Sequence, residues 1–167
     1  DMKGVVLAGG YGTRLFPLTK VTNKHLLPVY NKPMIYYPIE LLIKAGIKEI
    51  VVVSGGEHIG DFMKLLGSGA EMGVHFNYAV QDGAAGIPVA IHLAKPFIGT
   101  EKFVVVLGDN VTVGDISQHV KEFENSKKGA KIFLKKVPNQ HAFGVVEIKD
   151  DKIISMEEKP KQPKSDT

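Results

Sequence analysis

The chain has 167 residues, a formal net charge of +3 and 44% hydrophobic residues, a composition that suits a folded domain and excludes global disorder. Its lysines and arginines are scattered, so we expect no nucleic-acid-binding face of clustered basic and aromatic residues. The absence of cysteine excludes disulfides, thiolate catalysis and cysteine-ligated zinc, and no apolar run approaches the roughly 20 residues of a membrane span.

The first elements alternate between strand and helix. Residues 4–8 form a short apolar run that predicts a buried strand, and this early start leaves no room for a signal peptide. We therefore expect a cytoplasmic protein without membrane contact. A glycine-rich loop follows at 9–12. Residues 33–45 then predict a helix in which Pro38 causes a late start or a kink, and residues 49–54 predict a second buried strand.

The remaining elements continue this alternation and end in a run of strands. We predict helices at 59–66, 87–94 and 116–123, and strands at 74–80, 103–107, 131–136, 144–148 and 152–156. Strands that alternate with helices indicate parallel pairing, so the predicted fold is α/β, a three-layer αβα sandwich. The late strands favour a mixed, mostly parallel sheet. Such folds bind ligands at the carboxyl ends of their strands.

The first motif with chemical content is Leu7-Ala8-Gly9-Gly10-Tyr11-Gly12-Thr13-Arg14-Leu15. Glycines after a buried strand let backbone N–H groups approach an anion, and Arg14 adds a guanidinium suited to phosphate oxygens. The Rossmann pattern fails because Leu15 stands where its third glycine belongs, and no P-loop Gly-Lys-Ser/Thr follows. An ordinary glycine turn remains the alternative.

Three further signals are weak when each is taken alone. Lys24 could be a solvated charge. Asp109 follows the most apolar strand, where a carboxylate suits Mg²⁺ but could equally cap a turn. The charged segment 155–160 could be a plain surface patch.

Together these segments resemble the glucose-1-phosphate thymidylyltransferase family, within the sugar-nucleotide pyrophosphorylases. The matching segments occur in family order along nearly the whole chain. They are Leu7–Thr19, Lys24 with Leu26-Leu27-Pro28, Lys32–Pro38, Tyr78–Gln81, Leu107–Asn110, Phe143–Glu147 and Glu157–Pro160.

The resemblance implies a Rossmann-like nucleotidyltransferase fold and a set of roles. Residues 1–167 would be the N-terminal, nucleotide-binding portion of the domain, with the C-terminal remainder absent. Nucleotide would be bound by Leu7, Gly9, Gly10, Gly12, Thr13, Arg14, Gln81 and Gly86. Sugar phosphate would be bound by Gly144, Glu158 and Lys159. Catalysis would fall to Arg14, Lys24, Asp109 and Lys159, with Asp109 holding Mg²⁺ as the cofactor.

The implied reaction transfers a nucleotidyl group from dTTP to a sugar 1-phosphate, most simply glucose 1-phosphate. The attacking phosphate oxygen is already an anion, so the lack of a Ser/His/Asp arrangement is expected, and positive groups must offset phosphate repulsion. UTP is the alternative nucleotide, because one methyl in a pocket is worth only about 1 kcal/mol. Pro88 and Val89 depart from the family pattern and bear on this preference.

A non-catalytic nucleotide-sugar-binding module is the rival from another class. Family members continue beyond the residues present here, so we expect this chain to bind nucleotide and to catalyse slowly or not at all. Homo-oligomerisation of the full-length protein is left open.

Overall fold

The structure is a computed structural model that describes residues 2–83, 86–127, 129–150, 152–163 and 165. The chain divides into two compact units, one up to Ser126 and one from Lys127 onward, and each is described by itself.

The first unit is built on a four-stranded parallel sheet in the order β5-β4-β1-β6. Its strands are β1 (Lys3–Leu7), β4 (Glu49–Gly55), β5 (His75–Gln81) and β6 (Phe103–Leu107). Three of these strands, at 4–8, 49–54 and 74–80, were predicted to within one residue, and the fourth matches at both ends. Short apolar runs between turn signals specify buried parallel strands well, because both of their faces are covered.

Helices cover both faces of this sheet, which confirms the three-layer architecture. Successive β1 side chains alternate between the layers, so Val6 packs with the first layer and Val5 with the second. The first layer holds α1 (Tyr36–Lys44), α2 (Ile59–Leu66) and α5 (Ser117–Asn125), and the second holds α3 (Gly86–Leu93) and α4 (Lys95–Ile98).

The predicted helix at 33–45 starts late. Lys32–Pro33 forms strand β3, which pairs antiparallel with β2 (Pro28–Val29). Helix α1 begins only at Tyr36, so Pro38 lies in its first turn, where the missing N–H costs no intrahelical bond. The expectation that Pro33 opens the helix is therefore wrong, and the late start is confirmed.

The second unit contains a hairpin of β7 (Gly144–Lys149) and β8 (Lys152–Glu158). These late strands form their own antiparallel pair, whereas the four-stranded sheet is parallel throughout, so the expected mixing of directions within one sheet is wrong. Residues 131–136 do not form the predicted strand. The sequence also predicts a tight turn at 149–151 between β7 and β8, and Asp151 lies outside the described residues.

Candidate functional site: a cleft at the carboxyl end of the sheet

The order of the strands creates a crevice between β1 and β6. The chain runs outward from β1 to β4 and β5, then returns to place β6 on the other side of β1. The loops that follow two such neighbouring strands leave in opposite directions, and the crevice between these loops is where α/β proteins bind ligands. Gly9 follows β1 and Asp109 follows β6, so both lie at this edge.

A cleft of about 330 Å³ opens there, and we call it the switch-point cleft. It brings together seven of the residues assigned to nucleotide binding or catalysis on the sequence: Leu7, Gly9, Gly10, Lys24, Gln81, Gly86 and Asp109. These residues come from five separate stretches of the chain. Their convergence in one cleft is a property of the fold that no single motif contains.

Lys24 and Asp109 form a hydrogen-bonded ion pair across the cleft, 85 residues apart in sequence. Their side chains are 21% and 33% exposed, so water reaches the pair only in part. Burial alone would raise the pKa of the Asp109 carboxyl. The hydrogen bond and charge of Lys24, with a smaller contribution from His25, outweigh burial and hold that pKa below its ordinary value.

Two buried polar residues flank Lys24. Asn23 is 3% exposed and His25 is 1% exposed. The Asn23 side-chain oxygen accepts from the His25 backbone N–H at 2.9 Å and faces its ring Nδ1. The Asn23 amide nitrogen donates to the carbonyl of Ala8 at 3.3 Å. This network ties the turn that carries Lys24 to the end of β1.

His25 is a neutral imidazole at neutral pH. Burial, reinforced by the positive charge of Lys24 and partly opposed by Asp109, lowers its pKa from 6.5 to about 4. A neutral ring needs one donor and one acceptor nitrogen, and the contact with Asn23 assigns the proton to Nδ1.

Gln81, the last residue of β5, presents an amide to the cleft. The residue is 7% exposed, and its side chain makes no hydrogen bond within the described part of the chain. Among the described residues no fully buried side-chain nitrogen or oxygen lacks a hydrogen-bond partner, so the Gln81 amide atoms are open to solvent in the cleft and available to a ligand. Gly9 lies close enough that a Cβ there would stand 3.6 Å from Gln81 Oε1.

Three residues of the glycine motif that were assigned to nucleotide binding do not line the switch-point cleft: Gly12, Thr13 and Arg14. Gly12 adopts φ 59° and precedes a 3₁₀ turn at Thr13–Leu15, and its carbonyl accepts from the Thr19 hydroxyl at 2.8 Å. A Cβ on Gly12 would lie 3.0 Å from Thr19 Cγ2, so glycine is required there for space as well as for backbone conformation. Thr13 and Arg14 are exposed. Their role with phosphate stays a prediction.

A second opening at the same edge is larger, about 780 Å³, and we call it the larger cleft. It shares Gly9, Gly10 and Gln81 with the switch-point cleft and extends along the segment after β4. Its other charged or titratable side chains are Lys20, Glu57, His58 and Asp82.

The predicted sugar-phosphate residues belong to the second unit and lie together on its hairpin. Gly144 pairs with Glu158 in the β7–β8 register, and a Cβ on Gly144 would come within 3.2 Å of the Glu158 carboxylate. Lys159 adopts φ 46°, donates its backbone N–H to Phe143 O at 2.9 Å and places Nζ 3.6 Å from Glu158 Oε1. The structure thus gathers these three residues, and their assigned role stays a prediction.

Two negative findings apply to the part of the chain that the structure describes. Histidine, aspartate and glutamate side chains form no group of three or more that could hold a metal ion. No helix is both long enough and apolar enough to cross a membrane.

Sequence reasoning missed several residues of the switch-point cleft. Leu107, Ile87 and Ala90 supply apolar walls of the cleft, and His25 also lines it. Val89, flagged from its departure from the family pattern, is 42% exposed and lines neither cleft, whereas Ile87 and Ala90 line the switch-point cleft. The side chain of an Asn commonly accepts from the backbone N–H two residues later, so the sequence allows an Asx turn at Asn23. The burial of the His25 ring depends on packing that the sequence does not show.

Comparisons with known proteins agree with this geometry. The sequence model of the family described as Nucleotidyl transferase matches residues 3–167. A glucose-1-phosphate thymidylyltransferase from Neisseria meningitidis is 45% identical over 167 residues, which are 99% of this chain and 58% of that protein. The enzyme of the same name from Mycolicibacterium smegmatis is 45% identical, over 98% of this chain and 57% of the relative.

Solved structures show the same fold. A Bacillus anthracis protein described as a glucose-1-phosphate thymidylyltransferase, crystallised with sucrose, superposes with a TM-score of 0.96 at 52% identity, covering 99% of this chain and 68% of that one. A UDP-glucose pyrophosphorylase in complex with UDP-glucose superposes with a TM-score of 0.79 over 99% of this chain and 73% of that one. At 24% identity it is evidence of the fold alone.

The parallel sheet and its flanking helices define an α/β protein with the fold of the nucleotidyltransferases. The chain belongs to the nucleotidyl transferase family, and its similarity within that family is to glucose-1-phosphate thymidylyltransferases. It spans less than three fifths of the length of the curated relatives compared above.

Proposed function

We propose that this chain binds dTTP in the switch-point cleft, as part of a protein that transfers the thymidylyl group to glucose 1-phosphate and releases pyrophosphate. The observation that carries the proposal is the convergence of Gln81, Lys24 and Asp109 on one cleft beside the Gly9–Gly10 turn. The relatives named for this activity support it, since they are similar to this chain over nearly its whole length.

The base belongs at the Gln81 end of the cleft. An amide offers a donor and an acceptor side by side, which complements the alternating edge of thymine or uracil. Gly86 opens helix α3 on the same wall, where its backbone can approach a flat ring closely, and Ile87 and Ala90 provide apolar surface. The base would form hydrogen bonds with the Gln81 amide in place of solvent.

The phosphates belong at the Lys24–Asp109 end. Lys24 supplies a cation in the same cleft as the Gly9–Gly10 turn, whose glycines leave room for a ligand beside the backbone. A nucleotide would then lie along this one cleft, with its base at Gln81 and its phosphates at Lys24 and Asp109.

Mg²⁺ fits this donor set. Magnesium in nucleotide sites is commonly held by one or two carboxylates together with substrate phosphates, so Asp109 alone is an adequate protein ligand. The lowered pKa of Asp109 keeps the carboxylate ionised as a metal ligand must be. When bound, the ion would neutralise charge on the phosphates.

The reaction requires positioning and charge stabilisation more than acid–base chemistry. A phosphate oxygen of the sugar phosphate forms a bond to the α-phosphorus, the bond from that phosphorus to the bridging oxygen breaks, and its electron pair leaves with pyrophosphate. Because the attacking oxygen is already ionised, the reaction needs no general base, and the neutral His25 is not required in that role. Lys24 offsets the repulsion between the two anions.

Gly144, Glu158 and Lys159 remain our candidates for the sugar phosphate. Glu158 can accept from sugar hydroxyls, Lys159 can pair with a phosphate, and Gly144 leaves space beside the carboxylate. Arg14 remains the candidate for the distal phosphates. We also propose a cytoplasmic location, where nucleoside triphosphates and sugar phosphates are available.

The first experiment is calorimetric titration of the chain with dTTP in the presence of Mg²⁺. We expect one saturable site, and no binding would contradict the proposal. Pyrophosphate release with glucose 1-phosphate is then measured; turnover above roughly 1 per second, the scale of ordinary enzymes, would show that this chain alone is fully competent.

UTP is the second candidate nucleotide, since uracil presents to Gln81 the same donor and acceptor edge as thymine and differs from it by one methyl group. A non-catalytic binding module is the other alternative, because the chain spans 58% of its Neisseria relative. Thermal shifts with dTTP and UTP separate the nucleotides. Binding of either without pyrophosphate release would favour the module.

A further inference from the structure

The His25 ring lies where three segments of the site meet. It follows Lys24 directly, it packs against Gly108 before Asp109, and Phe62 of α2 contacts it with ring centroids 6.4 Å apart. A Cβ on Gly108 would stand 2.7 Å from His25 Cδ2, a distance that no side chain tolerates, so ring and backbone are already in close contact.

The ring itself is held by Asn23. Because the Asn23 oxygen faces both the backbone N–H and the ring Nδ1 of His25, the orientation of the imidazole is fixed. The Asn23 amide nitrogen reaches Ala8, and Gly108 N–H donates to Leu7 O at 2.8 Å. Asn23 therefore links the Lys24 turn to the end of β1, and His25 packs the same turn against the end of β6. A backbone hydrogen bond joins the two strand ends directly.

We propose that Asn23 and His25 are positioning residues that set the distance between Lys24 and Asp109 for nucleotide binding. Lys24 lies between two anchored neighbours, so the direction of its side chain is fixed, and the imidazole fixes where the chain turns after β6. This inference rests on the proposed function, because the spacing matters only if phosphate and metal bind between these groups. The low pKa of His25 agrees with it, since a neutral ring adds no charge to the ion pair.

The test is a double-mutant cycle on the affinity for dTTP with Mg²⁺. His25→Asn retains a nitrogen donor near the Nδ1 position and deletes the ring edge against Gly108. We expect it to weaken dTTP binding about 10-fold, because small displacements of charged groups at a reaction centre have effects of this size or larger. In a Lys24→Met background the same substitution should change the affinity by less than about twofold, since the group it positions is gone.

The cycle separates positioning from general destabilisation. Ile47→Val removes one methyl group from the buried core at the opposite end of β1, and we expect it to leave dTTP affinity unchanged. If His25→Asn does not fold by circular dichroism, Asn23→Ser, which removes the hydrogen bond to Ala8, takes its place in the cycle.

The outcomes are distinct. Unchanged affinity in a folded variant, or equal weakening with and without Lys24, overturns the inference while the proposed function stands. Failure of the unsubstituted chain to bind dTTP overturns the proposed function and this inference together.

Discussion

The two clefts share a sheet edge and differ in what converges on them. The larger cleft has more than twice the volume, yet its charged side chains Lys20, Glu57 and Asp82 form no ion pair within the described residues. The switch-point cleft is small, and its lysine and carboxylate meet across 85 residues of sequence. Cleft volume alone therefore does not identify the cleft that we propose for the nucleotide.

The difference has a topological origin. The switch-point cleft lies between β1 and β6, where the connections diverge and leave the strand ends open to a ligand. The larger cleft lies at the ends of β4 and β5, which are consecutive strands added on the same side of β1. No change in strand order occurs between these two strands. Matched substitutions in the two clefts therefore test whether the switch point governs binding.

The largest effect is expected at Asp109. Asp109→Asn should weaken Mg²⁺-dependent dTTP binding about 100-fold, because it removes the carboxylate that we propose holds the ion. Binding measured in EDTA should not weaken, since a negative charge beside the phosphates is lost as well. Asp82→Asn in the larger cleft is the matched control, and titration calorimetry with and without Mg²⁺ measures both. Equal losses for the two variants would remove the distinction between the clefts.

How much of this could be predicted from sequence depends on the range of the interactions. The strand at 103–107 and the helix at 59–66 were predicted at both ends, because a local apolar pattern specifies them. Lys24 and Asp109 were each identified by resemblance, but their ion pair needs the strand order, which no local pattern contains. His25 was missed because its burial arises from packing against Phe62 and Gly108. The segment 131–136 shows that a local apolar run is not sufficient to make a strand.

The second effect concerns stability and pH. With its pKa lowered from 6.5 to about 4, His25 stays neutral in the folded chain while the unfolded chain binds a proton below pH 6.5. The unfolded state then binds more protons, so the free energy of unfolding falls from pH 6.5 to about pH 4, by about 3 kcal/mol. The lowered pKa of Asp109 adds a further loss at still lower pH. Urea unfolding of the chain and of His25→Gln at a series of pH values measures this slope.

The variant should show a flatter dependence between pH 6.5 and 4, whatever its absolute stability. Ile47→Val serves as the control, since it should lower stability without changing the slope. A slope that is identical in the chain and in His25→Gln would show that another group is responsible.

A smaller loss is expected at Lys24. Lys24→Met keeps the length of the side chain and removes the charge, so dTTP affinity should fall about 10- to 30-fold, as for the loss of a charge-assisted hydrogen bond. Lys20→Met in the larger cleft is chemically the same change and should have an effect below about twofold. The reverse order of effects would place the phosphates in the larger cleft.

The smallest effect is expected at Gln81. This residue lines both clefts, so its position alone does not show which of them holds the base. Gln81→Leu should weaken dTTP binding about 10-fold through lost hydrogen bonds to the base, and should leave the affinity for inorganic tripolyphosphate unchanged. Gly56 lines the larger cleft and not the switch-point cleft. Gly56→Ala adds a methyl group there with only an ordinary 3.5 Å contact to Val80, so it tests whether the base occupies the larger cleft. If Gly56→Ala weakens dTTP binding as much as Gln81→Leu does, the base lies in the larger cleft and the nucleotide must cross the Gly9–Gly10 turn to reach Lys24.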